Sequence, residues 1–279
     1  MTLVISCVTP SHVVQVSDRR LTWLTGPDAG QVADDNRNKA LVVCNRIIIA
    51  YTGLAEIANH KTDEWLLDIV STVEPYNPQR ICETLAERAA EALHKVRIPS
   101  PKKRHAFLVS GWAKFNSEDA PLTPFVTAIS NALNNQWHWV PEANDIFQVR
   151  TVPLANRPFL LAAVGQPMGS TTQKRLVRQV RNYVDRERGP EAYIRILATA
   201  IRETNVSNSA VGRNLMAVSL PRTALTQSGG LSVPLGALLQ SSEALALYLP
   251  ESGEEAIRYA PNYTCEGMSY KQVFVRLEP

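Results

Sequence analysis

The distribution of apolar runs constrains this chain more than any other feature. Short β-rich runs fall into three blocks, and a pair of amphipathic helical segments separates each block from the next. The first block holds residues 2–8, 12–17, 40–44 and 46–52. Pro10-Ser11 and Asn45 interrupt it, so it reads as two hairpins joined by a polar loop with Gly26, Pro27 and Gly30. Leu54, Ile57, Ala58, Trp65, Leu66 and Ile69 then recur at near-helical spacing. A second helix comes next, with Asn77 as N-cap, Pro78 at the first helical position and an apolar face running from Ile81 to Val96. Strands resume at 105–115, 122–130, 145–152 and 159–164. Helices are expected over 172–188 and from Pro190, and closing strands at 214–220, 244–248 and 270–277. Helical pairs between blocks of antiparallel strands predict an α+β fold. We expect a four-layer αββα sandwich, with two antiparallel sheets flanked by helices, in one domain over residues 1–279. Both sheet faces are then dry, which suits runs apolar on both sides such as 46–50, RIIIA.

Composition narrows the function classes. The apolar share of 45% supports a full core. A net charge of +3, from 29 basic and 26 acidic residues, gives no basic stripe for nucleic acid. Lys102, Lys103 and Arg104 read as a solvated loop. No apolar run reaches the length of a membrane span. The five histidines lack ligand spacing, so neither a metal nor another cofactor is expected. Cys7, Cys44, Cys82 and Cys265 form no CxxC pair. With no signal peptide, a cytoplasmic location and free cysteines are expected.

The residues that carry chemistry lie near the start. A small residue at position two normally allows removal of Met1, and Thr2 would then present a hydroxyl and a free α-amine. That pair is a self-contained nucleophile and base, because an α-amine titrates near ~7.7–8.0. Asp18 and Arg20 end the second strand, Lys39 opens the third, and Gly53 ends the fourth. A helix expected directly after Gly53 would leave backbone N–H groups free to stabilise an oxyanion.

Thr2, Ser17-Asp18-Arg19-Arg20-Leu21-Thr22, Lys39 and Thr52-Gly53 resemble the proteasome β-type subunit family, the N-terminal nucleophile threonine hydrolases, and its bacterial relatives. The separations of 16 between Thr2 and Asp18 and of 14 between Lys39 and Gly53 are also those of the family. The resemblance implies the Ntn-hydrolase fold and a peptidase. Thr2 would attack an amide carbonyl, with Lys39 beside it and Asp18 holding Lys39 charged. Arg20 would complete that group, and the Gly53 N–H would hold the oxyanion. Thr22 and Ala55 match positions along which the family lays its peptide as an added strand. Tyr51 matches a pocket floor. Peptide or protein substrates, a homo-oligomeric ring or stack, and an ATP-dependent unfoldase are the partners so implied.

The sequence also departs from that pattern. Gln166 stands after Gly165 where the family has serine. In Asn208-Ser209-Ala210-Val211-Gly212, Asn208 replaces an aspartate and Val211 a serine, and a shifted alignment brings in Ser207 or Ser209. Three readings stay open: a threonine peptidase, an inactive subunit acting as scaffold, assembly or binding protein, and a self-processing amidase, for which no obvious pro-segment precedes Thr2. Residues 226–240 read as a long interaction loop.

Overall fold

The computed structural model describes residues 2–23, 26–57, 60–75, 77–115, 120–134, 136, 140–222, 245–252, 256–259, 261–265 and 268–270. The chain begins with β1 (Leu3–Val8), β2 (His12–Asp18), β3 (Leu21–Thr22), β4 (Val32–Asp34), β5 (Ala40–Val43) and β6 (Ile47–Thr52). Next come β7 (Glu56–Ile57), β8 (His60–Lys61), α1 (Thr62–Ser71) and α2 (Pro78–His94). The middle strands are β9 (Ala106–Ala113), β10 (Thr123–Ser130), β11 (Gln148–Pro153) and β12 (Leu160–Gly165). After them come α3 (Ser170–Val184), α4 (Pro190–Ser207), β13 (Leu215–Pro221) and β14 (Leu245–Leu249). Short strands β15 (Ile257–Arg258), β16 (Asn262–Cys265) and β17 (Met268–Tyr270) complete the described elements.

Two large sheets form. One has the order β12-β1-β2-β13-β14-β15, the other β11-β10-β9-β6-β5-β16-β17. The alternation of side chains along each strand explains why the runs are apolar throughout. In β6, Ile48 and Ala50 pack with Val4, Val8 and Val218 from the other sheet. Ile47, Ile49 and Tyr51 pack instead with α1 and α2 through Trp65, Leu66, Ile81 and Leu85. In β1, Leu3, Ile5 and Cys7 face α3 and α4 through Leu176, Val180, Leu197 and Ile201. Each fully buried aliphatic side chain contributes roughly 1.5–3 kcal/mol of transfer free energy, so neither face of β6 could be left in water cheaply.

The structure corrects several sequence-based expectations. The helix expected from Leu54 begins only at Thr62, and before it β7 pairs antiparallel with β8. Leu54 and Ile57 reach the expected core from loop and strand backbone, so helical spacing there reported burial and not helix. The sheets are not purely antiparallel, because β16 pairs parallel with β5. Cys44 and Cys265 form a disulfide across a sequence separation of 221, against the expectation of four free thiols. Their spacing carries no signal, and only the parallel pairing of β16 with β5 brings them together. The late strand expected at 270–277 lies, beyond Tyr270, outside the described residues, as does the loop at 226–240. By contrast, α2 starts as expected: the Asn77 side chain accepts from the Arg80 N–H at 3.0 Å, with Pro78 at the first turn.

Candidate functional site

Thr2 is fixed by its backbone before its side chain does anything. Its carbonyl accepts the Gln166 N–H at 3.0 Å and the Thr52 hydroxyl at 3.0 Å. Gly165 makes this approach possible: its φ is +101°, and any side chain there would overlap the Thr2 carbonyl oxygen. Thr2 ends up 2% exposed.

The Thr2 hydroxyl lies against the Lys39 ammonium, which donates to it in close contact. The same ammonium donates to the Arg20 carbonyl at 2.5 Å and to Asp18 Oδ1 at 3.3 Å. A charged lysine has three donors, and here each has an acceptor. Asp18 is held in turn: Oδ2 accepts the Leu3 N–H at 2.7 Å, and Oδ1 accepts the Arg20 N–H at 2.9 Å. Both side chains of this ion pair are completely buried. Burial pulls the Lys39 pKa down, with the Asp18 charge opposing it. Burial likewise pushes Asp18 up, against Lys39 and the two backbone N–H groups. The strand geometry that delivers this cluster is simple. Asp18 ends β2, Lys39 precedes β5, and Thr2 precedes β1, so the ends of three interior strands meet where the two sheets face each other.

Arg20 contributes its carbonyl to Lys39, while its guanidinium turns elsewhere. It makes a paired contact with Asp35, Nε to Oδ1 at 3.0 Å and Nη2 to Oδ2 at 2.8 Å, and reaches the Ser209 carbonyl at 2.8 Å. Asn208 closes α4 and donates to Gln166 Oε1 at 2.8 Å. Gln166 thus links Asn208 to the Thr2 carbonyl. Ser207 spends its hydroxyl on the Thr204 carbonyl of its own helix. Val211 is sealed into the core under α4.

Gly53 has φ +119°, and a side chain there would collide with the Arg104 carbonyl and His105. The helix expected directly after it is absent, so no helix terminus supplies its N–H environment. A clamp takes the place of that helix: the Leu54 N–H donates to His105 Nδ1 at 3.2 Å. With Nδ1 accepting, the neutral ring carries its proton on Nε2. Burial lowers the His105 pKa to about 3, so the ring stays neutral. Tyr51 stacks on this ring at 6.0 Å on the helix-facing side of β6, away from the side on which Thr52 touches Thr2. Thr22 lies half-buried in β3 opposite Val32, and the Ala55 carbonyl accepts the Thr62 N–H at 2.9 Å. Thr2, Asp18, Lys39 and the Arg20 carbonyl therefore form one contact group, with Gln166 and Asn208 joined to it through the Thr2 backbone. Sequence reading did not assign roles to Thr52 and His105. Thr52 stood in a quoted motif, whereas a lone histidine without ligand spacing carries no signal. Among the described residues, no group of three or more His, Cys, Asp or Glu is placed to hold a metal ion. No helix among them is long and apolar enough to cross a membrane.

A buried threonine–lysine–aspartate cluster lies at the strand ends of a mixed α/β, multi-sheet fold that has four α-helices among the described residues. No family model matches the chain, and no curated protein matches it. Among solved structures the chain is similar to a Gly-1 mutant of Anbu from Hyphomicrobium sp. strain MC1. The match has 16% identity, covers 78% of this chain and 80% of that one, and has a TM-score of 0.50. At that identity the likeness is one of fold. It overturns the assignment to the proteasome β-type subunit family made from residues 2–55. A handful of residues with the right spacing fixes a local geometry, and no family model extends it to this chain. What the match supports is a fold shared with that protein.

Proposed function

We propose that this chain is an amide-bond hydrolase acting on peptides, with the Thr2 hydroxyl as nucleophile once Met1 has been removed. The observation that carries this reading is the Lys39 ammonium against Thr2 Oγ1, held by Asp18 and the Arg20 carbonyl. A buried cation beside a hydroxyl stabilises the developing alkoxide. Oγ1 attacks the amide carbonyl carbon and its proton passes to the Thr2 α-amine. The tetrahedral oxyanion lies toward the Gly53 N–H. The α-amine then gives its proton to the departing nitrogen, the C–N bond breaks, and an ester on Thr2 remains. Water hydrolyses that ester and restores the hydroxyl. Asp18 keeps Lys39 charged, and Arg20 acts through its carbonyl. Thr22 and Ala55 would carry the acyl side of the peptide.

The finer structural reading belongs to the same proposal: a four-layer αββα Ntn-type sandwich in one domain. So do assembly into a homo-oligomeric ring or stack, an unfoldase partner, and a cytoplasmic location. Hydrolysis of a peptide library by the wild type, Thr2→Ala and Lys39→Met tests the chemistry. Thr2→Ala should abolish cleavage, and Lys39→Met should reduce it by ~10²-fold or more. Equal rates in all three would remove the reading.

One observation favours a second reading, an inactive scaffold or binding subunit of the same fold. Gln166 and Asn208 form an amide pair beside Thr2, and amides offer hydrogen bonds but no charge. A wild type that binds peptides without cleaving them would select it.

A further inference from the structure

A cavity of about 500 Å³ lies near the Thr2 carbonyl. Its walls include Thr52, Gly165 and Gln166, the residues that touch the Thr2 carbonyl. Neither Asp18, Arg20 nor Lys39 lines it, and neither do Thr22 or Ala55. The two halves of a peptide leave the scissile carbon in different directions. If the acyl half runs along Thr22 and Ala55, the cavity lies on the side of the departing amine.

We infer that this cavity is the subsite for the first residue of the leaving group, and that it selects a large apolar side chain. This rests on the hydrolase reading above. The volume falls within the range of built ligand pockets and accommodates a leucine or phenylalanine side chain with its backbone. Ala106 and Ala132, both buried, keep the walls apolar and leave the space unfilled. Among the described residues no carboxylate lines the cavity, while Arg104 does, so a basic occupant meets a like charge and an acidic one has Arg104 alone to meet on otherwise uncharged walls. The absence of a side chain at Gly165 admits the Thr2 carbonyl and leaves that wall of the cavity bare.

The test is a set of peptides with one fixed acyl half and glycine, alanine, leucine, phenylalanine, aspartate or lysine after the scissile bond. Cleavage is followed by mass spectrometry in competition. The wild type should cleave the phenylalanine and leucine peptides ~10-fold or more faster, in kcat/KM, than the glycine peptide. Ala132→Phe, which fills the cavity from within, should bring that ratio toward one. Pro167→Trp narrows the rim from an exposed position and should lower the same ratio, which guards against Ala132→Phe failing to fold. Cleavage with a flat leaving-group preference overturns this inference and leaves the hydrolase reading standing. A preference that survives in both variants does the same. No cleavage of any peptide overturns both.

Discussion

Lowering the pH from about 7.5 to about 4.5 protonates a histidine in the unfolded chain far more readily than it protonates His105 in the folded one. The His105 ring is buried, stacked on Tyr51, and accepts the Leu54 N–H. Burial moves its pKa from the usual 6.5 to about 3. Between those values the unfolded chain holds the extra proton, so stability is complete above pH 6.5 and falls as pH falls toward 3. Each pH unit in that window is worth about 1.4 kcal/mol, which gives about 1.4 kcal/mol lost near pH 5.5 and about 3 near pH 4.5. Urea unfolding of the wild type and of His105→Asn measures this. Asparagine can still accept the Leu54 N–H but does not titrate, and the other ionisable groups cancel between the two proteins. The variant should be less stable near neutrality, because it leaves space beside Tyr51. That stability gap should shrink by about 3 kcal/mol by pH 4.5. A gap of constant size across the range would refute a neutral buried ring at this position.

Three further outcomes are expected. Lys39→Met or Asp18→Asn breaks a fully buried pair and should destabilise the fold by roughly 3–5 kcal/mol, with the double variant losing less than the sum; urea unfolding of all four proteins checks the coupling. Gly165→Ala should cost more than about 2 kcal/mol or prevent folding, whereas Gly169→Ala, with open space around it, should stay within about 0.5 kcal/mol in thermal melts. Thiol titration should find no reactive cysteine in the native protein, two after denaturation without reductant and four after reduction. Burial pushes the two free thiols, Cys7 and Cys82, up to about 12, and reduction should lower stability by up to about 5 kcal/mol.

Much of the strand order was readable because a strand covered on both faces must be apolar at every position. Runs such as 46–50 have few other uses. The start of α2 was readable from Asn77 and Pro78, where local chemistry decides the outcome. The Thr2, Asp18 and Lys39 contact was expected only through the resemblance in residues 2–53, because apolar runs place strand ends without saying which of them meet. The expectations that failed turn on contacts that apolar spacing does not encode. The Leu54 segment mimics helical spacing, yet His105 captures the Leu54 N–H and Thr62 bonds back to Ala55. Cys44 meets Cys265 only after β16 joins β5 in parallel. Arg20 was read as one functional residue, but the fold divides it: its carbonyl faces Lys39 and its guanidinium faces Asp35.

The whole mechanism depends on a free amino group and a hydroxyl on the same residue, side by side with a buried ammonium. Incubating the native protein with a peptide epoxyketone, which requires both groups, and then mapping its intact and digested mass interrogates that directly. A chain starting at Thr2 and carrying one adduct there, absent in Thr2→Ala, is the expected result. An unmodified chain that still retains Met1 would contradict it.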